Sequence, residues 1–144
     1  MYWKILFVFL VTPSILILNM AAQEVIPGQV TATVNWPNPC CYPHFDSFSP
    51  EVTLCNGLSE MIAGNATLTI SRSGYQKSVV HGPFHRDSGC SDLTVSWQIP
   101  TTAPTGAYDV TITIRTTASP HFDPVIIQKD RAFFVPPSGG PLGS

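Results

Sequence analysis

Several stretches of the chain alternate strictly between apolar and polar side chains. In residues 28–36 every second position is apolar, namely Val30, Ala32, Val34 and Trp36, and a period of two predicts a strand with one buried face. The predicted strands are residues 28–36, 51–55, 65–71, 77–81, 92–97 and 108–114, with 125–135 forming one strand or a pair. No stretch of a dozen residues has the period of a helix, so about six to eight short strands predict an all-β, two-sheet sandwich.

The start of the chain has the layout of a secretory signal peptide. Lys4 precedes an apolar run at residues 5–18, and the segment after this run ends in two alanines, so we expect cleavage after Ala22 and secretion. The run of 14 residues is shorter than the roughly 20 that span a bilayer, so an integral membrane protein is not expected. A single domain is then predicted over residues 23–136, followed by a flexible tail at 137–144 whose last five residues look like a vector-derived remnant.

Secretion into an oxidising compartment favours disulfides for the four cysteines, which are Cys40, Cys41, Cys55 and Cys90. A bond between neighbouring cysteines requires a strained ring, so the expected frameworks join one of Cys40 and Cys41 to Cys55 and the other to Cys90. A zinc site is the alternative interpretation, although the sequence has no Cys-x-x-Cys pair. The sequon that begins at Asn65 fits the same compartment as an N-glycan acceptor.

Charge and catalytic motifs argue against two classes of function. Seven basic and nine acidic side chains give a net charge of −2, so no excess of positive charge is present to bind nucleic acid. The sequence lacks a Gly-x-Ser-x-Gly elbow, and a glycosidase would need two converging carboxylates. The candidate acids include outward strand positions with no reason to converge: Glu51, Glu60, Asp87, Asp92 and Asp109. We therefore expect neither an enzyme nor a cofactor.

Two histidine patterns suggest a metal site. His81 and His85 have the spacing of ligands on one face of a helix, but a glycine and a proline between them would break that helix. The tetrapeptide Pro-His-Phe-Asp occurs at residues 43–46 and again at 120–123, and the two loops would bind a metal if they met at one end of the sandwich. The alternative is a pair of turns whose Phe rings cover the core and whose Asp residues cap the turns. The leading interpretation assigns no metal.

Three parts of the chain carry a resemblance to a family of secreted lipid-recognition proteins. Residues 57–60 read Gly-Leu-Ser-Glu, and residues 26–31 read Ile-Pro-Gly-Gln-Val-Thr. Downstream, Cys90 is followed by an Ile-Pro pair at 99–100 and a Pro-Thr-Gly-Ala-Tyr run that ends at Tyr108. These pieces resemble the fungal ML-type proteins in type and order. The resemblance implies an immunoglobulin-like sandwich that holds a lipid between its sheets.

A second resemblance rests on other pieces. Residues 28–36 run from Gly to Trp, residues 97–100 read Trp-Gln-Ile-Pro, residues 106–108 read Gly-Ala-Tyr, and residues 132–135 read Ala-Phe-Phe-Val. These segments are similar to the KNH-like domain of fungal cell walls. That resemblance implies a role in the assembly of cell-wall glucan without catalysis.

We therefore expect a secreted, disulfide-stabilised protein that holds an acyl chain or a sterol between two sheets, because pockets of this kind are mainly apolar. The inward side chains that would line this slot are Leu68, Ile70, Val95, Trp97, Tyr108, Val110, Ile112 and Phe134. Each of them would equally suit a closed core. The alternative function is a cell-wall or surface interaction module that binds polysaccharide or another protein.

Overall fold

The computed structural model describes residues 24–137, and within this range the protein contains strands and no helix. The predicted signal peptide lies outside the described residues, as does the predicted tail apart from Pro137. The strands are β1 (Val30–Asn35), β2 (Ser47–Phe48), β3 (Glu51–Asn56), β4 (Ile62–Arg72), β5 (Tyr75–Arg86), β6 (Gly89–Thr94), β7 (Trp97–Gln98), β8 (Gly106–Thr116) and β9 (Val125–Val135). The all-β prediction is confirmed.

The long strands form two antiparallel sheets that enclose the core as a sandwich. One sheet has the order β1-β3-β6 and the other has the order β5-β4-β8-β9, while the two-residue strands β2 and β7 form a separate pair. In immunoglobulin constant domains the fourth long strand joins the sheet of the first two. Here β5 pairs with β4 instead, so the four-stranded sheet is the one that contains β8 and β9. The predicted immunoglobulin-like sandwich is confirmed in this arrangement.

Strands β4 and β8 run through the middle of the four-stranded sheet and separate the core from solvent. Their fully buried inward side chains are Ile62, Ala66, Leu68, Ile70, Tyr108, Val110, Ile112 and Ile114. On the outer face the register pairs Thr67 with Thr113 and Thr69 with Thr111. Threonine is β-branched and polar, so these positions favour a strand while they face water. The alternation in the sequence therefore corresponds to the two faces of one sheet.

The strand predicted at residues 92–97 is divided in the structure. Strand β6 ends at Thr94 and β7 begins at Trp97, and β7 pairs with β2 rather than with β3. The division falls at Ser96, whose backbone nitrogen and oxygen lie 3.2 Å and 3.0 Å from Nε2 of His81. The Nε2 atom of His81 accepts from the amide in one tautomer and donates to the carbonyl in the other, so the imidazole ties β5 to the connection between β6 and β7.

The disulfide pairing expected from the sequence is wrong. Cys55 is bonded to Cys90, and Cys40 is bonded to Cys41. Cys55 and Cys90 occupy facing positions in the register of β3 and β6, with their Cα atoms 4.0 Å apart. Cys40 and Cys41 lie on the crossover between β1 and β2, whose backbone bonds to Phe134 of β9 at the other end of the sandwich. With all four cysteines paired, none is left to bind zinc.

The crossover lies along part of the outer edge of β9. The amide of Phe134 donates a hydrogen bond to the carbonyl of Pro39, and the amide of Tyr42 donates one to the carbonyl of Phe134, each at 2.9 Å. The ring of Tyr42 packs edge-on against Phe48 and Phe133, with centroid distances of 5.6 Å and 5.8 Å. The chain itself therefore closes one section of this sheet edge.

Phe134 is not an inward residue, contrary to the sequence prediction. Its side chain is 38% exposed, whereas that of Phe133 is fully buried. The register pairs Tyr108 with Phe133 and Ala107 with Phe134, and paired residues project from the same face of a sheet. Phe133 therefore shares the core with Tyr108, while Phe134 lies on the outer face beside Ala107.

Candidate functional site

The side chains predicted to line a ligand slot are, with the exception of Phe134, members of the core. Those that are at most 7% exposed are Leu68, Ile70, Val95, Trp97, Tyr108, Val110 and Ile112. Tyr108 stacks in parallel on Phe133 with a centroid distance of 5.0 Å, and Phe48 also stacks on Phe133, with a centroid distance of 4.3 Å. Trp97 lies 6.0 Å from Tyr108. The space between the sheets is therefore filled with aromatic rings at this point.

The two Pro-His-Phe-Asp loops lie at opposite ends of the sandwich. In the loop at residues 43–46, Nε2 of His44 is 2.9 Å from the carbonyl oxygen of Ala103, shortly before β8 begins. The loop at residues 120–123 instead bonds to the hydroxyl of Thr116, at the end of β8. The two loops therefore do not meet, because the length of β8 separates them. Within the described residues, no group of three or more His, Cys, Asp or Glu side chains is placed to hold a metal.

The alternative interpretation of these loops holds for one of their two phenylalanines. Phe122 is half-buried and packs against the core, so it covers the interior as a turn residue would. Phe45 is 65% exposed and does not pack against the core. In the other histidine pattern, that of His81 and His85, the side chain of His85 is exposed. Nε2 of His81 is hydrogen-bonded to the backbone of Ser96.

A groove of about 830 Å³ opens at the side of the sandwich where β1 lies next to β9. It is lined by residues 28–32, Leu58 and residues 121–127. Several of these side chains are apolar, half-buried and packed against the core: Val30, Ala32, Leu58, Phe122 and Val125. The groove is thus an open extension of the inter-sheet space, and its volume lies in the range of small-ligand sites.

Two strand edges form the walls of this groove. Strands β1 and β9 are each the last strand of their sheet, so every second residue directs its backbone N–H and C=O away from the sheet. Among the described residues, backbone hydrogen bonds to the outer edge of β9 are made at Phe134, beyond the section that lines the groove. The walls therefore present hydrogen-bonding groups that are available to a ligand.

Close backbone packing positions the start of β1 against the groove. The amide of Gly57 donates to the carbonyl of Gln29 at 2.7 Å, and the amide of Gly28 donates to the carbonyl of Gly57 at 2.8 Å. A Cβ atom at Gly57 would collide with the carbonyl oxygen of Ile26, so this position requires glycine. The buried Asn56 fixes the following loop, since its Nδ2 donates to the carbonyl of Glu60 at 2.8 Å. Sequence reasoning missed this role of Asn56, whose signal is a single polar residue at the end of a strand.

Apolar surface continues beyond the groove at the same end of the molecule. A depression of about 400 Å³ shares Gly28 and Leu58 with the groove. The large apolar side chains exposed at this end are Val25, Ile26, Met61 and Ile126. Exposed apolar residues that gather around a concave surface are typical of sites of interaction.

The ionisable groups with perturbed pKa values lie away from the groove. Burial raises the pKa of Tyr42, Tyr75 and Tyr108 above its usual value, and none of the three lines the groove. The groove contains one imidazole and one carboxylate, those of His121 and Asp123, on a single loop. Its chemistry is therefore that of apolar contact and backbone hydrogen bonding.

Within residues 24–137, no helix is long and apolar enough to cross a membrane. No known family model matches the sequence, and no curated protein is similar enough to count as a match.

Proposed function

We propose that the chain is a secreted, non-catalytic interaction module that binds polysaccharide or protein in the groove between β1 and β9. The observation that carries this proposal is the composition of the groove, which combines a half-buried apolar floor with two free strand edges. Such a surface can bind a polymer along its length without breaking or making a covalent bond.

The packing of the core supports a ligand in the groove over a lipid between the sheets. An acyl chain or a sterol would have to separate the stacked rings of Phe48, Phe133 and Tyr108. The ring centroids are 4.3 Å apart for Phe48 and Phe133 and 5.0 Å apart for Phe133 and Tyr108. Aromatic pairs at such distances contribute about 0.5–1.5 kcal/mol each beyond the burial of their area. The groove requires no such separation, because its apolar floor is already accessible.

Three features support secretion. The first 22 residues have the layout of a signal peptide. The disulfide between Cys55 and Cys90 is of a kind that persists in oxidising compartments. The acceptor of the sequon, Asn65, is on the outer side of β4 and is half-exposed.

Amide chemical-shift mapping of the full chain, in its secreted form, tests the proposed function. Three probes are compared: laminarin as a soluble glucan, reduced and carboxymethylated α-lactalbumin as an unfolded polypeptide, and phosphatidylcholine vesicles that contain a sterol. We expect laminarin or the polypeptide to shift amides of residues 28–32 and 121–127. Shifts that appear with vesicles alone, at core residues of β4 and β8, would favour the lipid hypothesis and contradict the proposal.

A pair of lysine variants identifies the site of binding. Ile127→Lys places a charge in the groove, where Ile127 is half-buried. Val80→Lys is the matched control, because Val80 is 62% exposed on the edge strand at the other side of the same sheet. We expect binding to be lost in the first variant and kept in the second. Equal binding by both variants would show that the ligand lies elsewhere.

A further inference from the structure

We infer, on the premise of the proposed function, that the ligand of this groove is an extended polypeptide segment that adds to the free edge of β9 as a further strand. Its apolar side chains, at alternate positions, would enter the gap between the two sheets. Strand addition of this kind gains affinity from main-chain hydrogen bonds and selectivity from the pockets for alternate side chains.

The edge of β9 is open along the groove and closed beyond it. The crossover residues Pro39 and Tyr42 bond to Phe134, and no described residue bonds to the outer backbone edge at residues 125–130. The open section is therefore about six residues long, or roughly 20 Å at the rise of a strand, and its first three residues, 125–127, line the groove. A segment of six or seven residues fits this length.

The crossover shows within the molecule that another part of the main chain can bond to this edge. Its two bonds to Phe134, each of 2.9 Å, satisfy both backbone groups of one edge residue of β9, and the crossover itself is not a strand. One of its side chains, Tyr42, inserts beside the buried rings of Phe48 and Phe133. Along the groove, the edge of β9 likewise has backbone groups that point away from the sheet, and it likewise lies beside an apolar gap between the sheets. An extended segment would make both kinds of contact there.

The floor of the groove has the period of a strand. The apolar, half-buried side chains that the two strands contribute to the groove lining are Val30 and Ala32 on β1 and Val125 and Ile127 on β9. These residues are two positions apart on each strand, as are the side chains on one face of any strand added beside them. Apart from the imidazole of His121, the one aromatic side chain of the groove lining is that of Phe122, which is half-buried. The floor therefore offers no exposed row of rings on which sugar units would stack.

Charged residues and proline are distributed unequally over the free edges. Strand β5 carries Lys77, Pro83 and Arg86, and the guanidinium of Arg86 donates to the carbonyl of Asp92 on β6 at 3.0 Å. Such residues oppose the addition of a strand. Strand β1 and residues 125–128 of β9 contain neither a charged residue nor proline, whereas the following residues of β9 are Lys129, Asp130 and Arg131. The uncharged part of the β9 edge is therefore the part that lines the groove.

Blocked heptapeptides of the pattern Thr-X-Thr-X-Thr-X-Thr, with X as Val, Ile, Leu or Tyr, test this inference on the full chain. Each peptide is compared with two N-methylated forms, one methylated at the Thr nitrogens and the other at the X nitrogens. The two sets of N–H groups point to opposite sides of an extended peptide, so one methylated form should bind at least about tenfold more weakly while the other keeps its affinity. Shifts should map to residues 125–130 and be lost in Ile127→Lys but not in Val80→Lys.

Two results would overturn the inference. One is the absence of shifts in the groove with every heptapeptide, and the other is an equal effect of both methylated forms. If laminarin or carboxymethylated α-lactalbumin still shifts groove amides in either case, the proposed function stands and strand addition is wrong. If no probe shifts these amides, both are wrong. A thermal unfolding curve for Ile127→Lys that matches that of Val80→Lys shows that any loss of binding is not caused by unfolding.

Discussion

Tyr108 is a buried residue that joins the core to a loop. Its hydroxyl donates a hydrogen bond to the carbonyl of Pro104, and its ring stacks on Phe133. A tyrosine that bonds back to the backbone a few residues upstream is a recurrent feature of immunoglobulin sandwiches. The ring of Tyr75 lies edge-on to it at 6.0 Å, and the hydroxyl of Tyr75 is buried with no partner. The two tyrosines therefore allow a matched comparison.

Tyr108→Phe should lower the free energy of unfolding by about 1–2 kcal/mol, because it removes one hydrogen bond and leaves a carbonyl without its donor. Tyr75→Phe should leave stability unchanged or raise it slightly, since it removes an unpaired buried hydroxyl. Urea unfolding followed by tryptophan fluorescence measures both. Equal losses in the two variants would contradict the role given to the bond between Tyr108 and Pro104.

The raised pKa values of the same tyrosines predict that the free energy of unfolding decreases at alkaline pH. Burial, and to a smaller extent Tyr75, raises the pKa of Tyr108 above the usual value of 10.0, while Arg72 opposes this shift. The folded protein therefore holds the hydroxyl proton of Tyr108 more tightly than the unfolded chain does. The resulting contribution to the free energy of unfolding is complete below pH 10 and is lost as the pH rises through the raised pKa of the folded state. We expect the unfolding free energy to be level between about pH 7 and 9 and to fall above about pH 10. The fall should be smaller in Tyr108→Phe, and an identical alkaline profile in that variant would contradict the assignment.

Burial of individual side chains was predictable where alternation continued on both sides of the residue. Leu68 and Ile112 are examples, and both are fully buried. Phe133 and Phe134 are adjacent aromatic residues, so hydrophobicity alone could not decide which of them faces inward. The register with Tyr108 decides it, and a register is a property of two strands rather than of one sequence segment.

The two disulfides differ in what they hold together. The bond between Cys55 and Cys90 joins β3 to β6 across 35 residues of chain, whereas Cys40 and Cys41 are separated by one position. A cross-link stabilises mainly by restricting the unfolded chain, and this restriction grows with the length of the closed loop. The interstrand bond should therefore stabilise the fold far more than the bond in the crossover.

The double variant Cys55→Ala, Cys90→Ala should lower the unfolding free energy by about 4 kcal/mol on the chain-entropy estimate for a loop of this length. Cys40→Ser, Cys41→Ser is the control and should cost less than about 1 kcal/mol, since it opens no loop. Urea denaturation of both variants under non-reducing conditions provides the comparison. A larger loss in the control variant would mean that the crossover, not the sheet, limits stability.

The strands themselves were largely predictable, but the groove was not. Strands β1, β4 and β8 follow from alternation, and β5 extends beyond its predicted range because it pairs with β4 over most of its length. The groove exists because β1 and β9 are both edge strands and lie next to each other. The alternation of Val30 with Thr31 indicates a strand, yet it does not indicate which strand will be its neighbour. Strand order is decided by the packing of the whole chain.

The proposed secretion can be followed on the intact protein. The candidate glycan acceptor Asn65 lies where the pairing of β4 with β5 is irregular, between Gly64 and Ala66. Its side chain belongs to the outer face of the four-stranded sheet, as the buried residues on either side of it, Gly64 and Ala66, indicate.

Expression in a eukaryotic secretory host should yield a protein that begins at Gln23 and carries one N-glycan. Mass spectrometry before and after treatment with peptide-N-glycosidase measures both features, and Asn65→Gln should remove the mass difference. Detection of a secreted chain that retains residues 1–22 would contradict the predicted cleavage site. An unchanged mass after enzyme treatment would show that the sequon is not used.

The threonine pairs on the outer face, Thr67 with Thr113 and Thr69 with Thr111, bear on colloidal behaviour rather than on folding. Valine at these four positions would preserve the branching at Cβ that favours a strand. It would also convert the outer face, which already exposes Val80 and Ile126, into a broad apolar surface able to stack against another sheet. The four hydroxyl groups thus keep the outer face polar, while the methyl groups beside them maintain the strand.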